Sequence, residues 1–169
     1  MLQVRLVAFC KCVILSLMSD EKPRKYRSEC PMNFALETFG DSWSLLIARD
    51  IAFWGKRTFG EFLKSKEGIA TNILSARLAR LEKEGILTKT PHATDKRKDI
   101  YSLTEKGLDL IPIMLELGAW SSMYDPRQKD EFLKFVETVR KDQRNMIEIF
   151  KEKIRNGGSI FSDAVGRQG

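Results

Sequence analysis

The chain has 169 residues, 43% hydrophobic and 31% charged, which suits one packed domain with an appendage and excludes a disordered polyampholyte. Its net charge of +6 points weakly to a polyanionic partner. One histidine, His92, and three cysteines confined to the first thirty residues exclude a disulfide framework or a zinc pattern, and no metal or cofactor is expected. No paired-carboxylate motif or Gly-rich phosphate loop supplies enzyme chemistry, so the chain reads as a non-enzyme.

Leu2 to Met18 is mostly apolar but interrupted by Arg5 and Lys11, too short and too charged to span a membrane. Two readings stand for it: translation starting at Met18, or a signal or anchor. The first is preferred, with cytoplasmic residence and no membrane partner. Residues 1–29 are thus an apolar leader and flexible arm, outside the ordered protein, and on that reading residues 1–17, with Cys10 and Cys12, are absent from the mature chain.

Cys30-Pro31 opens the ordered part, because proline is favoured at the first helical position. A short helix, Pro31 to Phe39, ends at Gly40, and Asp41 is placed to cap a second helix from Ser42 to Trp54. Thr58 and Glu61 fit a capping box at the start of a third helix running to Lys66. A fourth helix begins near Ala70. Around it, Ala70, Leu78 and Leu81 fall within about 40° of Leu74, while Asn72, Ser75, Ala79, Arg80 and Lys83 lie on the other side. Gly85 stops it. Alternating segments 86–90 and 100–103 read as strands, with Pro91 to Asp99 as a basic wing tip. Lys56 to Asp99 carries eleven Lys and Arg against six Asp and Glu.

Thr104 caps a fifth helix, expected from Glu105 to Met123 with a kink at Pro112 and an inward face of Leu108, Ile111, Leu115 and Trp120. Gln128 to Arg155 reads as one long helix. Phe132, Val136, Val139, Gln143, Met146 and Phe150 step 4-3-4-3-4, a heptad rhythm suited to dimerisation or to packing on the chain's own domain. The organisation expected is residues 30–124 as a DNA-binding domain, 125–155 as a dimerisation helix and 156–169 as a disordered tail. The fold class is mainly α with a small β-wing: a winged helix-turn-helix with an extra long C-terminal helix.

Cys-Pro at 30–31, Gly-Asp-x-Trp at 40–43, Leu45-Leu46-Ile47, Arg49-Asp50, Arg57-Thr58-Phe59-Gly60-Glu61-Phe62 and Gly68-Ile69 occur in order. Ile73-Leu74-Ser75-x-Arg77-Leu78-x-x-Leu81-Glu82-x-x-Gly85 and Tyr101-Ser102-Leu103-Thr104-Glu105-Lys106-Gly107 follow. Together they resemble the HxlR-type bacterial winged-helix transcriptional regulators, which are related to the MarR family, over Cys30 to Trp120. The resemblance implies a homodimer on double-stranded DNA with a two-fold site. Typical members end soon after the helix behind the wing, whereas this chain continues.

In such a regulator Thr71, Asn72 and Ser75 would meet base edges in the major groove. Arg80, Lys83, Lys96, Arg97 and Lys98 would meet the backbone or the minor groove. Arg77 would reach DNA or brace its own helix. Cys30, at a helix N-terminus near Lys25 and Arg27, is a candidate redox sensor, because some relatives use a cysteine at this position, or else a half-buried inert thiol. The alternative function is a winged-helix protein–protein interaction module without DNA binding. No ligand pocket, effector or target gene is legible.

Overall fold

A computed structural model of the chain describes residues 26–127 and 130–161. The leader, Cys10, Cys12, Met18, Lys25 and the tail beyond Phe161 lie outside the described residues. Contacts divide the chain into two units, up to Phe34 and from Ala35 onward. In the first, Cys30 precedes Pro31 at the start of helix α1 (Pro31–Phe39), its carbonyl accepts from Phe34 N at 3.1 Å, and the Tyr26 and Phe34 rings lie 5.0 Å apart.

From Ala35 onward the chain forms a helix-turn-helix with a wing. Asp41 organises the start of α2 (Ser44–Trp54): its carboxylate accepts from Trp43 N at 3.0 Å and Ser44 N at 3.1 Å. Gly55 ends α2 with φ +69°, and its N–H closes on the last turn. The expected capping box is present at α3 (Phe59–Leu63): Thr58 N donates to Glu61 Oε2 at 2.8 Å and Glu61 N to Thr58 Oγ1 at 3.4 Å.

Helix α4 (Thr71–Lys83) buries Leu74, Leu78 and Leu81, the inward stripe expected from its periodicity. Strands β1 (Leu87–Pro91) and β2 (Asp99–Leu103) pair antiparallel with Leu87 opposite Leu103 and Pro91 opposite Asp99. Tyr101 N donates to Arg57 O at 2.8 Å, joining the turn before α3 to the hairpin. The core holds Ile47, Ile51, Phe62, Leu74, Leu78, Leu81, Ile86, Leu108, Ile111 and Leu115 between these elements.

Two expected helices are divided. Thr104 caps only the short α5 (Glu105–Leu108), accepting from Gly107 N at 3.1 Å, and α6 (Ile111–Tyr124) begins afresh. Pro112 sits in the first turn of α6 rather than kinking a continuous helix, because a missing N–H costs nothing there. Likewise the expected helix 128–155 is two: α7 (Asp130–Arg140) and α8 (Gln143–Arg155), separated by Lys141-Asp142.

That break decides the fate of the heptad stripe. Val136, Val139 and Phe150 are buried, Phe132 and Met146 pack against the same core, and Gln143 is exposed. The stripe therefore covers its own domain. A 4-3-4 rhythm describes apolar positions, and a turn within the run lets them fold back on the core instead of forming a straight seam. Backbone bonds from Ile160 N to Ala52 O (2.8 Å) and Phe161 N to Phe53 O (3.2 Å) fasten the chain after α8 onto the last turn of α2.

Candidate nucleic-acid interface

Burial of Leu74, Leu78 and Leu81 leaves the opposite side of α4 in solvent. Asn72 and Ser75 are exposed away from the buried stripe and Thr71 is exposed as the first residue of the helix, so the three residues expected to read bases are brought together within a turn and a half. Ala70 occupies the N-cap without a side-chain hydrogen bond, so no side chain closes the end of this helix. The later arginines behave differently. Arg77 Nε lies 2.9 Å from Asp41 Oδ1, a charge contact without the alignment of a good hydrogen bond. Arg80 Nη2 donates to the Glu37 carbonyl at the end of α1. Both half-buried guanidiniums tie α4 to the segment before α2. Arg80 was expected on the outer face, but its stem is long enough to turn inward to the Glu37 carbonyl at the helix end.

Burial would raise the Asp41 carboxyl, but the Ser44 hydroxyl, the N–H groups of Trp43 and Ser44 and the Arg77 charge bring it below its ordinary range. Asp41 thus stays ionised as the anchor for both the α2 start and Arg77.

At the wing tip, Lys96, Arg97 and Lys98 are exposed, with the Arg97 side chain 90% accessible. Asp95 pairs with Arg97 Nε and Lys98 Nζ, each at 3.2 Å. His92 shapes the same turn: its ring Nδ1 accepts from Thr94 N at 3.3 Å and Asp95 N at 3.2 Å, while its backbone N–H donates to Lys98 O at 2.9 Å. The wing therefore has a built turn with cations displayed on it.

Residues 38–129 match the family model described as HxlR-like helix-turn-helix. The chain belongs to the HxlR-like helix-turn-helix family. A curated HTH-type transcriptional regulator of Mycobacterium tuberculosis (strain ATCC 25618 / H37Rv) is 40% identical over 93 residues, which are 55% of this chain and 58% of that protein. The match thus spans little more than half of that relative. The crystal structure of PA1607, assigned as a transcription factor, superposes with a TM-score of 0.56 at 39% identity, covering 61% of this chain and 72% of that one. The redox regulator HypR in its reduced form gives 0.50 at 32% identity, covering 57% and 95%. Helices α7 and α8 lie beyond the family match.

Sequence reasoning placed Trp120 on the inner face of its helix; it is 60% exposed. Ile113, Leu117, Trp120 and Tyr124 form a second 4-3-4 stripe, and all four are exposed, with Met123 beside them. The signal was present in the spacing, but α6 is apolar around its circumference, so periodicity could not tell which side faces the core. Ile111, Met114, Leu115 and Ala119 take that inner side. Among the described residues no helix is long and apolar enough to cross a membrane, and no cluster of His, Cys, Asp and Glu could hold a metal.

Proposed function

We propose that the protein is a transcriptional regulator that binds double-stranded DNA as a homodimer. The start of α4 enters the major groove and the wing lies on the backbone or minor groove. The observation that carries this reading is the exposed trio Thr71, Asn72 and Ser75 at the start of a helix whose Leu74-Leu78-Leu81 stripe is fully buried, in a chain of this family. Asn72 matches the donor–acceptor edge of adenine, and each such bidentate pair discriminates by about 1–3 kcal/mol. Lys96, Arg97 and Lys98 supply phosphate contacts, whereas Arg77 and Arg80 act by holding the reading helix in place. The test is binding of fragments recovered by genome-wide mapping of occupied DNA. Asn72→Ala with Ser75→Ala should lower affinity for those fragments about tenfold or more and leave affinity for random duplex nearly unchanged. Equal loss on both, or no recovered sequence preference, overturns the reading.

A thiol-sensing role rests on Cys30, whose thiol is free and exposed at the start of α1. The likeness to a redox regulator supports it. Oxidant-dependent release from DNA should disappear in Cys30→Ser; release that persists in that variant overturns the role.

A further inference from the structure

A cavity of about 460 Å³ opens between α2, α6, α7 and the chain after α8. Its volume is in the range that holds a small organic molecule, roughly 300–1,000 Å³. A second hollow near Trp43, of about 10 Å³, is room for no more than one water. Four aromatic side chains line the larger one: Phe53, Trp54, Phe132 and Phe161. The Phe161 ring lies 5.3 Å from Trp54 and 5.4 Å from Phe53, so the lip is a fixed aromatic corner rather than a loose terminus. The backbone bonds to Ala52 and Phe53 hold that corner in place. Phe132 and Phe161 both follow residue 129, where the family match ends, so the part of the chain outside that match adds two aromatic walls to a hollow otherwise lined by α2 and α6.

The polar groups of the wall define what could enter. Ser121 Oγ donates to Leu117 O and Ser122 Oγ to Gly118 O, each at 2.9 Å. With their protons committed, the two hydroxyl oxygens offer lone pairs only. Arg49 also reaches the wall, but its guanidinium is engaged by Asp50 Oδ1 at 2.6 Å and Glu67 Oε1 at 2.7 Å. Its charge is therefore already balanced, and among the described residues that line the chamber there is no other cation with which to call an anion. An apolar, aromatic, acceptor-lined and charge-balanced site fits one kind of occupant. We infer that this cavity binds a neutral, multi-ring aromatic molecule carrying a hydroxyl or amino donor that is directed at Ser121 and Ser122.

The probe is 2-naphthol, with naphthalene as the donor-free control, measured by equilibrium dialysis on the full chain. The expected result is saturable uptake of one naphthol per chain, with naphthalene bound about tenfold more weakly, the factor one satisfied hydrogen bond supplies. Ser121→Ala with Ser122→Ala should erase that preference while keeping naphthalene uptake. Ser122→Phe should fill the chamber and abolish uptake of both; circular dichroism and an unchanged unfolding midpoint confirm that each variant is folded. Absence of saturable uptake below about 1 mM overturns the inference. So does uptake indifferent to these substitutions, or uptake that follows the association state of the chain, which would make a second copy the true occupant.

Discussion

At the residue scale, an ion-pair network runs from the buried Asp50 outward to Glu67 across Arg49. Asp50 is 2% exposed and held by Lys56 Nζ at 2.8 Å and by Arg49, with the Ser65 hydroxyl completing its shell. Arg49 bridges outward to Glu67, and this hydrogen bond, more than the opposing effect of burial, holds the Glu67 carboxyl down to about 2 from an ordinary 4.5. A carboxyl whose pKa is lowered by folding contributes stability above its unfolded value and loses it as pH falls through the folded one. The Glu67 contribution is therefore complete above about pH 4.5 and lost toward pH 2. Both side chains are about one-third exposed, which keeps the effect below about 1 kcal/mol. Urea unfolding of Glu67→Gln should show a shallower fall of stability across that window; an identical slope to the parent protein would remove the pair from the account. Arg80 gives a second test at this scale. Arg80→Ala should lower stability by about 1.5–3 kcal/mol, the worth of a hydrogen bond from a charged donor, and leave the salt dependence of DNA binding unchanged. Lys96→Ala should do the reverse, leaving stability intact and lowering the salt slope by about 0.9. A lower slope in Arg80→Ala would return that side chain to the DNA.

At the element scale, the packing of α6 on α7 turns on one position. A Cβ built on Gly118 would lie 2.2 Å from Cε1 and 2.7 Å from Cζ of Phe132. The ring has little room to retreat, because Phe53 and Phe135 flank it with centroids 6.4 and 6.0 Å away. Gly118→Ala should cost about 1–3 kcal/mol through overpacking, more than the gain of at most about 1 kcal/mol from alanine's helix propensity. In a Phe132→Ala background the same change should be neutral or stabilising, and additive effects in the double variant would show that the contact does not matter. This is also where the sequence was least informative. Caps, stops and the stripe of α4 depend on neighbours within four residues, so Asp41, the Thr58–Glu61 box, Gly85 and Leu74-Leu78-Leu81 were readable from spacing alone. The break at Lys141-Asp142 and the inward turn of Arg80 depend on partners far along the chain. A 4-3-4 rhythm reports an apolar face without reporting what it meets. Nor did any local pattern announce the cavity, whose walls come from four separated segments.

At the scale of the whole molecule, the question is how a chain with one reading helix gains enough contact for selective binding. A single helix covers too few base pairs, and two copies on a two-fold site supply the rest. The stripe expected to join them is spent on the protein's own core, so the proposed homodimer would use another surface. The exposed 4-3-4 face of α6 is the strongest candidate. Trp120, Met123 and Tyr124 are 60%, 57% and 68% accessible, and the Trp120 and Tyr124 rings lie against each other, tilted by 45° with centroids 5.1 Å apart. Apolar residues concentrated on one exposed face are uncommon in a monomer, and a self-complementary face closes on its own copy about a two-fold axis. Trp120→Glu places a charge at the centre of that face without touching the buried side formed by Ile111, Met114, Leu115 and Ala119. On the proposed function, sedimentation should show a dimer for the parent protein and a monomer for this variant, with unchanged circular dichroism. Affinity for a two-fold site should fall about 100-fold or more, since the second half-site no longer benefits from being tethered to the first, while affinity for an isolated half-site stays near its parent value. A dimer that survives Trp120→Glu would move the interface off α6, and a monomer that keeps full affinity would mean that one copy reads the site alone.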